Sequence, residues 1–160
     1  MKPADAIDPL VKEAIYQAVD KEPLARSFHM RLVDLKLGYS KVEMDYDPGS
    51  MANMYNRAHG GAIFALIDEA FETASQTRGT IAVALNVNVT YVSSPDRATT
   101  MWAEAREISC TRKTATFEIK VTDENQNLIA VCQAVVYRTG KPISPGQENE
   151  EIHPSQSCLK

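Results

Sequence analysis

The sequence predicts an α+β fold in which an antiparallel sheet of about six strands curls around one long central helix. Three observations carry this expectation. The segment from Ala62 to Arg78 holds Ile63, Phe64, Leu66, Ile67, Ala70, Phe71 and Ala74. That apolar stripe is wider than a surface helix needs, so the helix is buried on most of its circumference. Directly after Gly79 the period changes to two: Ile81, Val83, Leu85, Val87, Val89 and Tyr91 alternate with Ala82, Ala84, Asn86, Asn88 and Thr90. Strand-like stretches then recur as far as Tyr137, and a sheet this large hides one apolar helix only by wrapping it.

The elements follow in order. Ile7, Leu10, Val11, Ala14, Ile15, Ala18 and Val19 recur at spacings of three and four, which predicts an amphipathic helix. Asp5 or Asp8 caps it, Pro9 fits its first turn, and Glu22-Pro23 ends it. Two strands are expected at Arg31–Leu37 and Tyr39–Tyr46, joined at Gly38. Asp47 to Ala58 reads as a long loop, and loops of that length inside a compact domain are often functional. His59-Gly60-Gly61 opens the long helix and Gly79 closes it. Past the alternating strand, further strands are expected at Thr99–Ile108, Ala115–Val121 and Leu128–Tyr137, the last two joined as a hairpin through Asp123–Asn127. Leu128 to Cys132 is apolar on both faces, as a central strand would be. Residues 1–140 thus form one domain, and Pro, Ser, Glu, Gln and Asn make 141–160 a tail without a core of its own.

Composition narrows the function classes. A net charge of −4 with no dense Lys/Arg block argues against nucleic acid or an anionic membrane as partner. No apolar run approaches the roughly 18 residues of a membrane helix, and the N-terminus lacks a secretory layout. Cys110, Cys132 and Cys158 show no metal-ligand spacing, and an odd number makes a disulfide framework unexpected. A cytoplasmic protein with neither metal nor redox cofactor is the expectation.

Two places hold candidate chemistry. At Asn53 to Gly61 a loop runs into a helix N-terminus, where unpaired N–H groups and a partial positive charge suit a carbonyl oxygen that gains negative charge. Gly60 and Gly61 leave those amides uncovered; they also serve simply as a turn into the helix. Asp68 lies mid-helix in an apolar segment, where burial would raise its carboxyl toward a usable base, and Glu72 one turn on is a like charge. The other reading puts Asp68, Glu69 and Glu72 on the wet face. Asp68 stands about 12 Å along the helix from Gly60, at roughly 1.5 Å per residue, so the two act on one carbonyl only if they come from different subunits. A two-fold dimer of crossing helices supplies that arrangement. Arg112-Lys113 offers cations for phosphate groups, or solvated charge at a hairpin end.

Asn53, His59-Gly60-Gly61, Phe64, Leu66 and Asp68, followed by Val89-Thr90-Tyr91-Val92-Ser93-Ser94-Pro95, resemble the phenylacetate-degradation branch of the hotdog-fold acyl-CoA thioesterases. The resemblance implies a helix wrapped by an antiparallel sheet, homodimers that often pair into a dimer of dimers, and coenzyme A arriving only as part of the substrate. It implies that the Gly60 amide polarises the thioester carbonyl and that Asp68 of the other subunit is base or nucleophile. Asn53 would hold water or the carbonyl, and His59 would orient the loop. Gly61, Glu72, Asn86, Arg112 and Lys113 are the further candidates for binding substrate. The chain departs from the pattern at Ala84, where some relatives carry a hydroxyl that Asn86 or Ser75 would have to replace. Ser94 stands for a frequent arginine and Thr111 for a common glycine. Hydrolysis of acyl-CoA to free acid and coenzyme A is the function implied; a non-catalytic acyl-CoA-binding module is the alternative. Hydratase-type relatives pair an Asp with a His a few residues later, and no His follows Asp68 in the helix.

Overall fold

The structure, a computed structural model, describes residues 6–143. Its elements are α1 (Pro9–Lys21), α2 (Pro23–Ser27), β1 (Met30–Lys36), β2 (Tyr39–Tyr46), α3 (Pro48–Met51), α4 (Gly60–Ser75), β3 (Thr80–Tyr91), β4 (Thr99–Cys110), β5 (Thr114–Asp123) and β6 (Leu128–Pro142). The six strands form one sheet in the order β1-β2-β4-β5-β6-β3, with every neighbouring pair antiparallel. None of the described helices is long and apolar enough to cross a membrane.

The sheet wraps α4 as the sequence predicts. Leu66, Ile67, Ala70 and Phe71 of α4 are buried together with Met44, Ala103, Ala105 and Phe117 of the strands. The alanines of β4 present only methyl groups to the helix, which leaves room for larger side chains from α4. Phe71 meets Phe117 edge-on, with ring centroids 5.5 Å apart. Ser40 is buried inside this interface without penalty because its Oγ donates to the Ala70 carbonyl at 2.6 Å. α1 lies across the outside of the same helix. Its Asp8 cap accepts the Leu10 N–H at 2.9 Å, and Val11 packs so close to Gly79 that a Cβ there would stand 3.2 Å from it.

Several boundaries differ from the sequence reading. Pro23, which stops α1, also opens α2, because a proline has no N–H to lose at a first helical position. Asp47 caps the short helix α3 inside the expected loop, accepting the Gly49 N–H at 2.9 Å. α4 begins at Gly60 and ends at Ser75 rather than Arg78. Tighter bonds from Thr77 to Ala74 and from Gly79 to Gln76 finish it, and Gly79 takes the expected left-handed φ of +79°. The expected start of the tail at 141 is too early. β6 runs to Pro142 past the left-handed Gly140, and the Ile143 N–H donates to the Gly79 carbonyl at 3.0 Å. The rest of the tail, 144–160, lies outside the described residues.

Two corrections concern the strands near the site. The alternation of β3 does not hold throughout: Ala84 pairs with Val136 and Asn86 with Val135, so Leu85 is an extra residue in a bulge. Ala82 packs on the core before the bulge; Val87 and Val89 do so after it, whereas Val83 and Leu85 point outward. β6, expected to be central, is second from the edge, because β3 returns to pair with it rather than with β4. β3 is therefore an open edge twelve residues long.

Candidate active site

The loop between α3 and α4 is tied together by its own polar groups and by the segment after β3. Asn53 Oδ1 accepts the N–H groups of Tyr55 at 2.9 Å and Arg57 at 3.2 Å, so this side chain shapes the loop. Its amide nitrogen has no partner among the described residues. Ser94, which stands where an arginine is frequent, fastens the helix entry: its Oγ donates to the Ala58 carbonyl and its own carbonyl accepts from Arg57. The Tyr91 hydroxyl at the end of β3 donates to the Gly60 carbonyl at 3.1 Å.

His59 is the residue that caps α4. Its Nδ1 accepts the Gly61 N–H at 2.8 Å, and its backbone N–H reaches the Met51 carbonyl. The cap therefore consumes the Gly61 amide. The Gly60 N–H, by contrast, makes no hydrogen bond among the described residues. Gly60 packs beside the Tyr91 ring, where a Cβ would make ordinary contact at 3.4 Å from Cζ. A free donor at the positive end of a sixteen-residue helix is suited to an oxygen that acquires charge.

Asp68 sits about two turns further along α4. It is partly buried and makes neither a hydrogen bond nor an ion pair with a described residue. Burial raises its carboxyl above the ordinary aspartate range. Its charge reaches Cys132 of β6, whose thiol is pushed up to about 11, first by burial and further by Asp68. Strand alternation places Cys132 inward beside Ala130 and Ala134, but nothing in the sequence says that it lies within reach of the Asp68 charge. The wet-face reading of the three acids does not describe what forms. Glu69 is only 3% exposed and Glu72 is exposed, with Asp68 between them.

The remaining candidates are spread out. Asn86 is exposed on β3 beside the bulge. Ser75 is buried, with its Oγ donating to the Glu72 carbonyl, and is not directed at Asn86 or the helix entry. Glu72 Oε1 accepts weakly from Gln76 at 3.4 Å. Arg112 and Lys113 lie exposed in the turn between β4 and β5, where Lys113 Nζ approaches the Tyr137 hydroxyl at 3.2 Å. Tyr137 pairs with the start of β3, whereas Gly60 stands at its Tyr91 end. One chain thus brings Asn53, His59, Gly60 and Gly61 together, leaves Asp68 two turns away, and holds Arg112 and Lys113 at the opposite end of β3.

Residues 55–130 match the model of the thioesterase superfamily. A protein of Archaeoglobus fulgidus, to which esterase activity is ascribed, is 35% identical over 135 residues, 84% of this chain and 85% of its own. The chain belongs to the thioesterase superfamily. Within it, the chain is similar to the phenylacetic acid degradation protein PaaI of Thermus thermophilus: a structure of a mutant of that protein is 31% identical, covers 73% of this chain and 99% of its own, and superposes with a TM-score of 0.70. The PaaI protein of Escherichia coli, named as an acyl-coenzyme A thioesterase, shares the hotdog fold with a TM-score of 0.81 at 21% identity, over 87% of this chain and 100% of its own. This thioesterase collects exposed apolar side chains on the elements that meet at Gly60: Met54 and Tyr55 on the loop, Phe64 one turn into α4, and Tyr91 and Val92 at the end of β3. Met51 and Phe71, similar in type, are core.

Proposed function

We propose that this thioesterase hydrolyses acyl-CoA thioesters at a site shared by two chains. The Gly60 N–H of one chain polarises the thioester carbonyl. Asp68 of the other chain activates the attacking water as a base, or attacks first as a nucleophile and is then released by water. Either route breaks the carbonyl–sulfur bond, forms the free acid and releases coenzyme A as its thiol. A thiolate leaves readily, so one carboxylate and one oxyanion donor suffice. The similarity to a protein named as an acyl-CoA thioesterase supports the substrate class.

One observation carries the two-chain reading: the free Gly60 N–H and the unpartnered Asp68 carboxylate lie about 12 Å apart on the same rigid helix. The open β3 edge supports it. Val83 and Leu85 are 43% and 60% exposed there, and a long apolar edge left uncovered is a pairing surface. Antiparallel pairing of two β3 edges about a two-fold axis sets the Thr80 end of each strand beside the Tyr91 end of the other. The partner's Lys113 and Arg112 are then directed toward Gly60, where the phosphates of coenzyme A would lie. Asn53, through its free amide nitrogen, holds water or the carbonyl. The exposed Met54, Tyr55 and Phe64 receive the acyl group.

The experiment is complementation between inactive chains. Gly60→Pro and Asp68→Asn proteins are each assayed alone, then co-refolded in equal amounts. With shared sites, each mixed dimer holds one intact centre and one doubly altered centre. Random pairing makes half of the dimers mixed, so about a quarter of wild-type activity returns. A site built within one chain returns none.

A further inference from the structure

A second group of acids lies where α1 meets α4, close enough to Asp68 to feel its charge but outside the roles proposed for the catalytic centre. Glu22 ends α1, and Glu69 and Glu72 project from α4. One carboxylate oxygen from each lies within 4.8 Å of the other two. They border a cavity of about 50 Å³ between α1 and α4, closed on the apolar side by Ile15, Val19 and Ile143. Glu69 is 3% exposed, and its buried Oε1 has no hydrogen-bond donor among the described residues. The group nearest in kind is the Glu22 carboxyl, which can donate only when one of the two is protonated. Among the described residues, no Lys, Arg or His borders the cavity. The hydroxyl of Thr73 is spent on the carbonyls of Glu69 and Ala70, so it does not serve the carboxylates. Gln76 borders the cavity and gives its amide nitrogen to Glu72, which leaves its amide oxygen as a further donor atom for a cation.

A buried carboxylate oxygen without a donor or cation is expensive, and here two more carboxylates converge on the same side chain. One shared proton neutralises one of the three groups. A divalent cation offsets two negative charges and satisfies the orphaned oxygen at once. The donor set is all oxygen, with neither imidazole nor thiolate, which selects a hard ion. We propose that Glu22, Glu69 and Glu72 bind a divalent cation of the Ca²⁺, Mg²⁺ or Mn²⁺ class, with the Gln76 amide oxygen and water completing the shell. The ion fastens the end of α1 to the middle of α4. Sequence spacing does not reveal the group, because Glu22 comes from a separate helix. The proposal stands independently of the thioesterase mechanism.

The test uses full-length protein freed of metal with a chelator and then dialysed. Each chloride salt, CaCl₂, MgCl₂ or MnCl₂, is titrated in by calorimetry, and thermal unfolding is followed with and without it. The expected result is one saturable ion per chain. At a concentration about 100-fold above the dissociation constant, the midpoint should rise by roughly 5–11 °C. Glu69→Gln should abolish both signals, and Glu72→Gln should weaken binding at least tenfold. Glu22→Gln, on the less buried acid, serves if Glu69→Gln fails to fold. Absence of saturable binding at millimolar concentrations of all three ions overturns the proposal. So does binding that survives Glu69→Gln or Glu22→Gln, or a wild-type midpoint that follows pH alone, since that assigns the cluster to a shared proton.

Discussion

Replacing Asp68 with Asn separates chemistry from stability. The side chain makes no hydrogen bond or ion pair with a described residue, so the substitution breaks no polar contact among them. Its carboxyl is raised by burial, which means that the folded chain binds that proton more tightly than the unfolded chain. The stabilising contribution is therefore complete at low pH and is lost as pH rises through the folded pKa. At neutral pH the charged group opposes folding, and Asn relieves this. The melting midpoint should be unchanged or higher. Loss of a base should nevertheless lower kcat by about 10²–10⁴-fold, or roughly 2.7–5.4 kcal/mol of transition-state stabilisation at about 1.36 kcal/mol per decade. The assay follows thiol release from a panel of acyl-CoAs, alongside thermal unfolding and light scattering on the same samples. KM should move much less, since Gly60 and the apolar walls remain. Near-normal kcat in an intact dimer would refute the role given to Asp68. A large fall in melting midpoint would show that the carboxylate has a structural partner.

Gly60→Pro should remove the oxyanion donor while keeping the helix, because His59 already has the extended ψ of 135° that precedes proline comfortably. A fall in kcat of about 10²–10³-fold with little change in unfolding is expected, and retained activity would move the oxyanion site elsewhere. Leu85→Lys puts a charge on the open edge, and light scattering should then show monomers with activity lost in proportion; an active monomer would remove the shared site. Glu69 should make metal-free protein lose stability with rising pH. Burial first, then the charges of Glu22 and Glu72, push its carboxyl to about 8 from 4.5. Its contribution is whole below 4.5 and lost through about 8; Glu72, raised to about 7 mainly by burial, acts in the same direction. Glu69→Gln should therefore reduce, and Glu69→Gln with Glu72→Gln should flatten, the dependence of the melting midpoint on pH across that window.

The wrapped-helix architecture was legible because it is written in periodicity. The broad apolar stripe of α4 and the change to period two after Gly79 require a sheet around a helix, whatever the loops do. Rise per residue alone puts Gly60 and Asp68 about 12 Å apart, so the proposal of a site shared by two subunits was already available from local geometry. What local pattern could not decide was which groups spend their hydrogen bonds on one another. Only the folded chain shows that His59 consumes the Gly61 amide and leaves Gly60 free, or that Asn53 is engaged in its own loop. The bulge at Leu85 was invisible because an extra residue is defined by the partner strand, and β6 is distant in sequence. The same holds for Glu22, Glu69 and Glu72. Helical spacing makes Glu69 and Glu72 surface acids, but the position of α1 encloses one of them in a cavity with a third carboxylate. Burial of a charge depends on what packs over it, and that is set by contacts between segments far apart in the chain.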